Sequence, residues 1–163
     1  MVAQNIVFGV LAAVMGISAI RVVTTKNVVH AALYLVLVLA GVAGIFLLLA
    51  AEFLAVVQVL VYIGAIVVLF LFGVMLTRAT IGRDSDLDND QRWLGALIGG
   101  GIFAGLAWLL IDAFGDEKLR IEGIGRTSDV GLAIFQTYVI PFEVISVLLL
   151  AALVGAVVIA RKD

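Results

Sequence analysis

Five apolar runs dominate this chain, and each is close to the length that a helix needs to cross a bilayer. They extend over about Gln4 to Val22, Val28 to Ala50, Phe53 to Leu76, Trp93 to Phe114 and Tyr138 to Ala160. At 1.5 Å per residue, a span of the hydrocarbon core takes roughly 20 residues. Composition agrees, with 64% of residues hydrophobic and a mean hydropathy of +1.28. Ordinary soluble domains are only about half apolar. The expected fold is an all-α integral membrane protein with five transmembrane helices, forming a single membrane domain over residues 1–163. Its one long loop is external and covers about residues 112–137.

The first run has no basic residue ahead of it and Arg21 behind it, the reverse of a secretory signal, so it reads as a retained first helix. Orientation follows Lys and Arg in the short loops. Arg21 and Lys26 lie after the first run, Arg78, Arg83 and Arg92 after the third, and Arg161 and Lys162 after the fifth. The other side has a second loop holding only Glu52, and a fourth loop with Lys118, Arg120 and Arg126 amid five acids. Seven basic residues against three place the N-terminus outside and the C-terminus in the cytoplasm.

With no cysteine, the chain has no disulfide, thiolate metal site, iron–sulfur cluster or thiol nucleophile. His30 is the only histidine and builds no metal site alone; at the end of the second helix it reads as an interfacial or subunit-contact residue. In the third loop, Asp84, Asp86 and Asp88 occupy the first three ligand positions of a calcium loop, but Asn89 stands where the glycine belongs and Gly95 where the bidentate acid belongs. A solvated acidic loop, with Asp88 or Asp90 capping the fourth helix, is the plainer reading. Asn27 is a plausible cap for the second helix.

Small residues mark places where helices approach closely in lipid. Gly9 and Ala13 give the first helix such a spacing, and Gly95, Gly99, Gly100, Gly101 and Gly105 give the fourth two overlapping faces between Trp93 and Trp108. No G-x-G-x-x-G is present, so the glycines are not a dinucleotide site. The second and third helices, separated by little more than Ala51 and Glu52, are expected to form a tight hairpin. In the fourth loop, "SDVGLAIFQTYVIPFE" suggests a short amphipathic helix capped by Ser128 or Asp129, with Leu132, Ile134 and Phe135 on the membrane surface or a partner, or else an extended linker.

Four polar residues sit at or within the apolar zone: Glu52, Gln58, Tyr62 and Glu143. A charged side chain at a helix centre costs about 2.5 to 3.5 kcal/mol on insertion scales, so it faces a partner or water. Glu52 falls at a helix edge, where an interfacial carboxylate is the plainer reading. Glu143, after Pro141 and Phe142, lies further in and is open between interfacial and buried or water-facing roles. Gln58 and Tyr62 are four residues apart and share a face of an α-helix. Gly64 stands near the middle of the third run, where glycine costs about 0.8 to 1.0 kcal/mol relative to alanine. Two readings follow. Gly64 is a packing notch across which Tyr62 donates a hydrogen bond, or Tyr62-Ile63-Gly64 marks a point where the hydrogen-bond ladder slips into a π-bulge. No nucleophile and base, phosphate loop or ligand cluster is recognisable, so the chain reads as part of a larger machine.

"EFLAVVQVLVYIGAIVVLFLFGVML", Glu52 to Leu76, closely resembles the third helix of the subunit J family of proton-pumping NADH:quinone oxidoreductase, respiratory complex I. "TTKNVVHAALYLVLVL" and "PFEVISVLLLAALVGAVVIARKD" resemble that family's second and fifth helices. The resemblance implies a non-catalytic core subunit of the membrane arm that lies beside subunit K, near the subunits forming the quinone cavity. It implies no cofactor on this chain, with flavin, iron–sulfur clusters and quinone held by other subunits. The implied partners are other membrane-arm subunits and the lipid bilayer, with no nucleic acid. The lack of an N-terminal targeting segment favours a bacterial inner membrane, and an organelle-encoded protein would read the same. By resemblance, Tyr62, Ile63 and Gly64 form an α-to-π switch, and Glu52, Gln58 and Glu143 belong with it to a proton pathway. The alternatives are a small subunit of a cation/proton antiporter or membrane-bound hydrogenase, and a purely structural scaffold.

Overall fold

The computed structural model describes residues 2–76, 91–115 and 126–161. Among them every regular element is helical: α1 (Val2–Thr24), α2 (Val28–Leu48), α3 (Glu52–Val57), a π-helical segment (Gln58–Val67), α4 (Val68–Leu76), α5 (Arg92–Phe114), α6 (Thr127–Gln136) and α7 (Val139–Ala160). The third apolar run is thus one continuous span made of α3, the π segment and α4. Five helices have the length and hydropathy to cross a membrane, at Val2–Thr24, Val28–Leu48, Glu52–Leu76, Trp93–Phe114 and Val139–Ala160. Of the residues used above for orientation and loop chemistry, Arg78, Arg83, Asp84, Asp86, Asp88, Asn89, Asp90, Lys118, Arg120 and Lys162 lie outside the described residues.

The start of α2 is set by Asn27, whose side-chain oxygen accepts from the backbone N–H of Val29 at 2.9 Å and of His30 at 3.3 Å. Two orphan donors of the first turn are satisfied in this way. Its end is a Schellman turn: Ala51 N–H donates to Phe46 O at 2.9 Å and Ala50 N–H to Leu47 O at 3.0 Å. The turn puts Ala50 in the left-handed region, at φ 56°. Most helices place glycine there, since a Cβ in that conformation costs roughly 1–2 kcal/mol. The three residues Leu49, Ala50 and Ala51 reverse the chain, and the third span returns along α2 as the expected hairpin.

The core is the contact of α1 with α2 and of α2 with the third span. Its buried residues are few and small: Ser18 on α1, Ala32, Gly41 and Ala43 on α2, and Ala55, Gln58 and Val67 on the third span. Close approach, rather than apolar burial, holds such a bundle together in lipid. A Cβ on Gly41 would overlap Met15 Cγ, and one on Gly44 would stand 3.1 Å from Leu11 Cδ1. The notch therefore lies on α2 and receives side chains of α1. Gly9 and Ala13, the pair singled out in the sequence, are exposed instead, with nothing within 4 Å of a Cβ on Gly9.

The remaining spans are unlike this core. Among the described residues, α5 packs against no other element. A Cβ on any of its five glycines meets nothing within 4 Å, and Trp93 and Trp108 are exposed. Its cap position is Gln91, with no side-chain cap. The fourth loop does contain a helix, α6, but neither Ser128 nor Asp129 caps it. Arg126 holds the cap position without a side-chain bond, and the Ser128 hydroxyl donates to Asp129 Oδ1 at 3.3 Å. Pro141 is the third residue of α7, within the first turn where its missing N–H costs no helical hydrogen bond.

Candidate proton-path residues on the third span

Residues Gln58 to Val67 hydrogen-bond as a π-helix, with α-helix before and after. Bonds from residue i to i+5 widen the turn by one residue, and such turns are rare, mostly confined to single-turn bulges, and frequent at functional sites. Here the segment runs for ten residues and contains Tyr62, Ile63 and Gly64.

The widened turn changes which side chains face the neighbouring helix. Along the third span the buried and half-buried positions are Phe53, Ala55, Val57, Gln58, Ile63, Val67, Leu71 and Val74. From Gln58 onward the later steps, of four and three residues, are those of an α-helix, and the step of five, from Gln58 to Ile63, falls inside the π segment. Continued as an α-helix from Gln58, the inward stripe would reach Tyr62 next. In the π register Gln58 is 7% exposed and Tyr62 is 45% exposed. The two therefore do not share a buried face, a correction to the four-residue spacing read from the sequence. Ile63 takes the inward place.

Among the described residues, no other helix fills the space beside Gly64. The one atom near a Cβ built on it is the carbonyl oxygen of Val59, at 3.4 Å. Val59 is five residues back, the position whose carbonyl the π ladder directs toward Gly64. That separation is an ordinary van der Waals contact, so a Cβ fits beside the Val59 carbonyl in the π register. Beside the segment, Ala43 and Leu47 of α2 and Ala55, Val56, Val59 and Leu60 of the third span line a cavity of about 290 Å³ with apolar side chains alone.

The two carboxylates are placed differently. Glu52 is the first residue of α3 and is exposed at the hairpin end. Gln58 lies about 9 Å further along the axis, six residues at 1.5 Å each. Glu143 is the fifth residue of α7, exposed on the surface of the chain, with the Ser146 hydroxyl donating to its backbone oxygen at 2.8 Å. His30 is exposed in the first turn of α2. Among the described residues no group of three or more His, Cys, Asp or Glu side chains is placed to hold a metal. The available chemistry is carboxylate, amide and phenol, groups that accept and donate protons in a chain of hydrogen bonds.

Sequence comparison supplies the context. Residues 18–159 match the family model described as NADH-ubiquinone/plastoquinone oxidoreductase chain 6. The chain is 42% identical to the F(420)H(2) dehydrogenase subunit J of Methanosarcina mazei, covering 98% of this chain and 92% of the relative. It is 39% identical to the NAD(P)H-quinone oxidoreductase chain 6 of Leptolyngbya boryana, over 98% and 81%. To the NADH-quinone oxidoreductase subunit J of Escherichia coli it is 34% identical, over 90% and 81%. These relatives are subunits of multisubunit oxidoreductases, which disfavours the antiporter and hydrogenase readings. The chain belongs to the NADH-ubiquinone/plastoquinone oxidoreductase chain 6 family.

Proposed function

We propose that this chain is a non-catalytic membrane-arm subunit of a complex I-type quinone oxidoreductase, and that its third span helps couple electron transfer to proton translocation. The π segment over Gln58–Val67 is the observation that carries this reading. Between the π register and a plain α register, Ile63 and Tyr62 exchange places against α2. The first puts a hydrocarbon in the bundle and the second a hydroxyl. A hydroxyl facing inward one turn beyond Gln58 continues the line of polar groups that begins at Glu52 deeper into the span, and an isoleucine in the same place ends it at Gln58. Two registers within a few kcal/mol of each other suffice for a switch.

The reading carries further expectations. The N-terminus and the α2–α3 hairpin face the outside of a bacterial inner membrane and the C-terminus faces the cytoplasm, as the basic residues of the loops require. Subunit K and the subunits around the quinone cavity cover the exposed spans, with cofactors on other subunits. The electron donor is set elsewhere. The names of the relatives carry three different donors, F420H2, NAD(P)H and NADH, which supports the reading that other subunits recognise the donor.

The test is Gly64→Val. In the π register a bare Cβ would stand in van der Waals contact with the Val59 carbonyl, at 3.4 Å, and the two γ-methyls of valine add bulk beyond that contact. The α register, where Leu60 rather than Val59 is the acceptor, is then favoured. The expected result is a complex that assembles and reduces quinone but pumps fewer protons per electron. Normal pumping contradicts the switch, and loss of assembly supports a packing role alone.

A further inference from the structure

The fifth span, α7, meets the rest of the chain through one element. Among the described residues it packs on α6 and on nothing else, and α6 in turn reaches α3 at the start of the third span. The α6–α7 junction is a braced corner rather than a loose loop. Thr137 N–H and Tyr138 N–H both donate to Ala133 O at 2.9 Å, and Phe142 N–H donates to Tyr138 O at 3.0 Å. Across the corner the Phe135 ring stands edge-on to Phe142, with centroids 5.2 Å apart and planes at 64°. This is the favoured geometry of an aromatic pair. Phe142 directly precedes Glu143, and α3 begins at Glu52. On the topology proposed above, spans three and five run in the same direction, which places both carboxylates toward the same end of the bundle.

We propose that α6 is a strap that positions the fifth span against the outer end of the third, with Phe135 as the positioning residue that sets Glu143 relative to Glu52. The functional part of this proposal rests on the reading of those two acids as members of a proton path. The strap itself does not. It also explains why the penultimate residue of a ten-residue helix outside the five spans is an aromatic side chain turned back onto the fifth: the corner angle of α7 is fixed by that contact rather than by burial, of which α7 has almost none.

The experiment uses the assembled complex, with spin labels introduced as unnatural amino acids at Leu49, on the hairpin, and Ile140, in the first turn of α7, both exposed in the chain. The label-to-label distance distribution is measured together with protons translocated per electron, in the parent, in Phe135→Ala and in Phe135→Tyr. The strap predicts a narrow distribution in the parent, a broadened or displaced one in Phe135→Ala, and recovery in Phe135→Tyr, which keeps the ring edge. An unchanged distribution in Phe135→Ala overturns the proposal. If the distribution broadens while pumping is unaffected, the strap stands and the assignment of Glu143 to the proton path fails. Should Phe135→Ala not assemble, Phe135→Leu serves instead, since it keeps apolar bulk and removes the ring: a broadened or displaced distribution supports the strap, and one identical to the parent contradicts it.

Discussion

At the scale of single residues, two small side chains carry more of the fold than any large one. Gly41 lets Met15 of α1 seat against the backbone of α2. Gly41→Leu should force the helices apart at a cost of about 1 to 3 kcal/mol, the usual range for overpacking, read as a lowered temperature of inactivation of the assembled complex. Ala50 acts in the opposite sense, because it is held at φ 56° where glycine is at ease. Ala50→Gly should raise the stability of the hairpin by about 1 kcal/mol, by relieving the left-handed penalty. The measurement is the same thermal inactivation, with a higher midpoint expected and an unchanged or lower one counting against the strain. Asn27 was legible as a cap because capping requires a particular side chain at a particular position. Gly9 and Ala13 were misleading because small-residue spacing says that a face permits close approach, not which face is used.

At the scale of elements, span length and position followed from apolar length alone, and the ends found in the sequence and in the structure differ by only a residue or two. The π segment is another matter. Its composition is that of any apolar helix, and the one local sign, a central glycine, serves a packing notch equally well. What distinguishes the two is a property of the folded helix, the step of five between Gln58 and Ile63 in the inward-facing stripe. The cap of α6 is hidden for a related reason. Ser128 and Asp129 are good caps in isolation, but the helix begins at Thr127, two residues before a Ser128 cap would start it, and their side chains bond each other. The register account predicts that Tyr62→Phe, which keeps the ring and removes the hydroxyl, lowers proton translocation while leaving quinone reduction and assembly intact. A pumping ratio equal to that of the parent would remove Tyr62 from the path.

At the scale of the whole molecule, this chain is half of a structure. Helices α1, α2 and the third span form a bundle, α7 is tied to it by α6, and α5 packs on no other described element. Exposed side chains such as Leu97, Phe103, Leu148 and Val158 suit lipid, yet the glycine faces of α5 and the exposed carboxylate of Glu143 suit neighbouring protein better than hydrocarbon. On a native gel of gently solubilised membranes, the chain should comigrate with a large quinone-reducing band, and a small free species would contradict that placement. The register switch is tested by the backbone of the third span in the intact complex, seen by single-particle imaging at rest and during turnover. Both forms are expected, with Ile63 facing α2 in the π register and Tyr62 facing it in the α register. A third span that keeps the π register and an outward Tyr62 in every state of the working enzyme would contradict the switch.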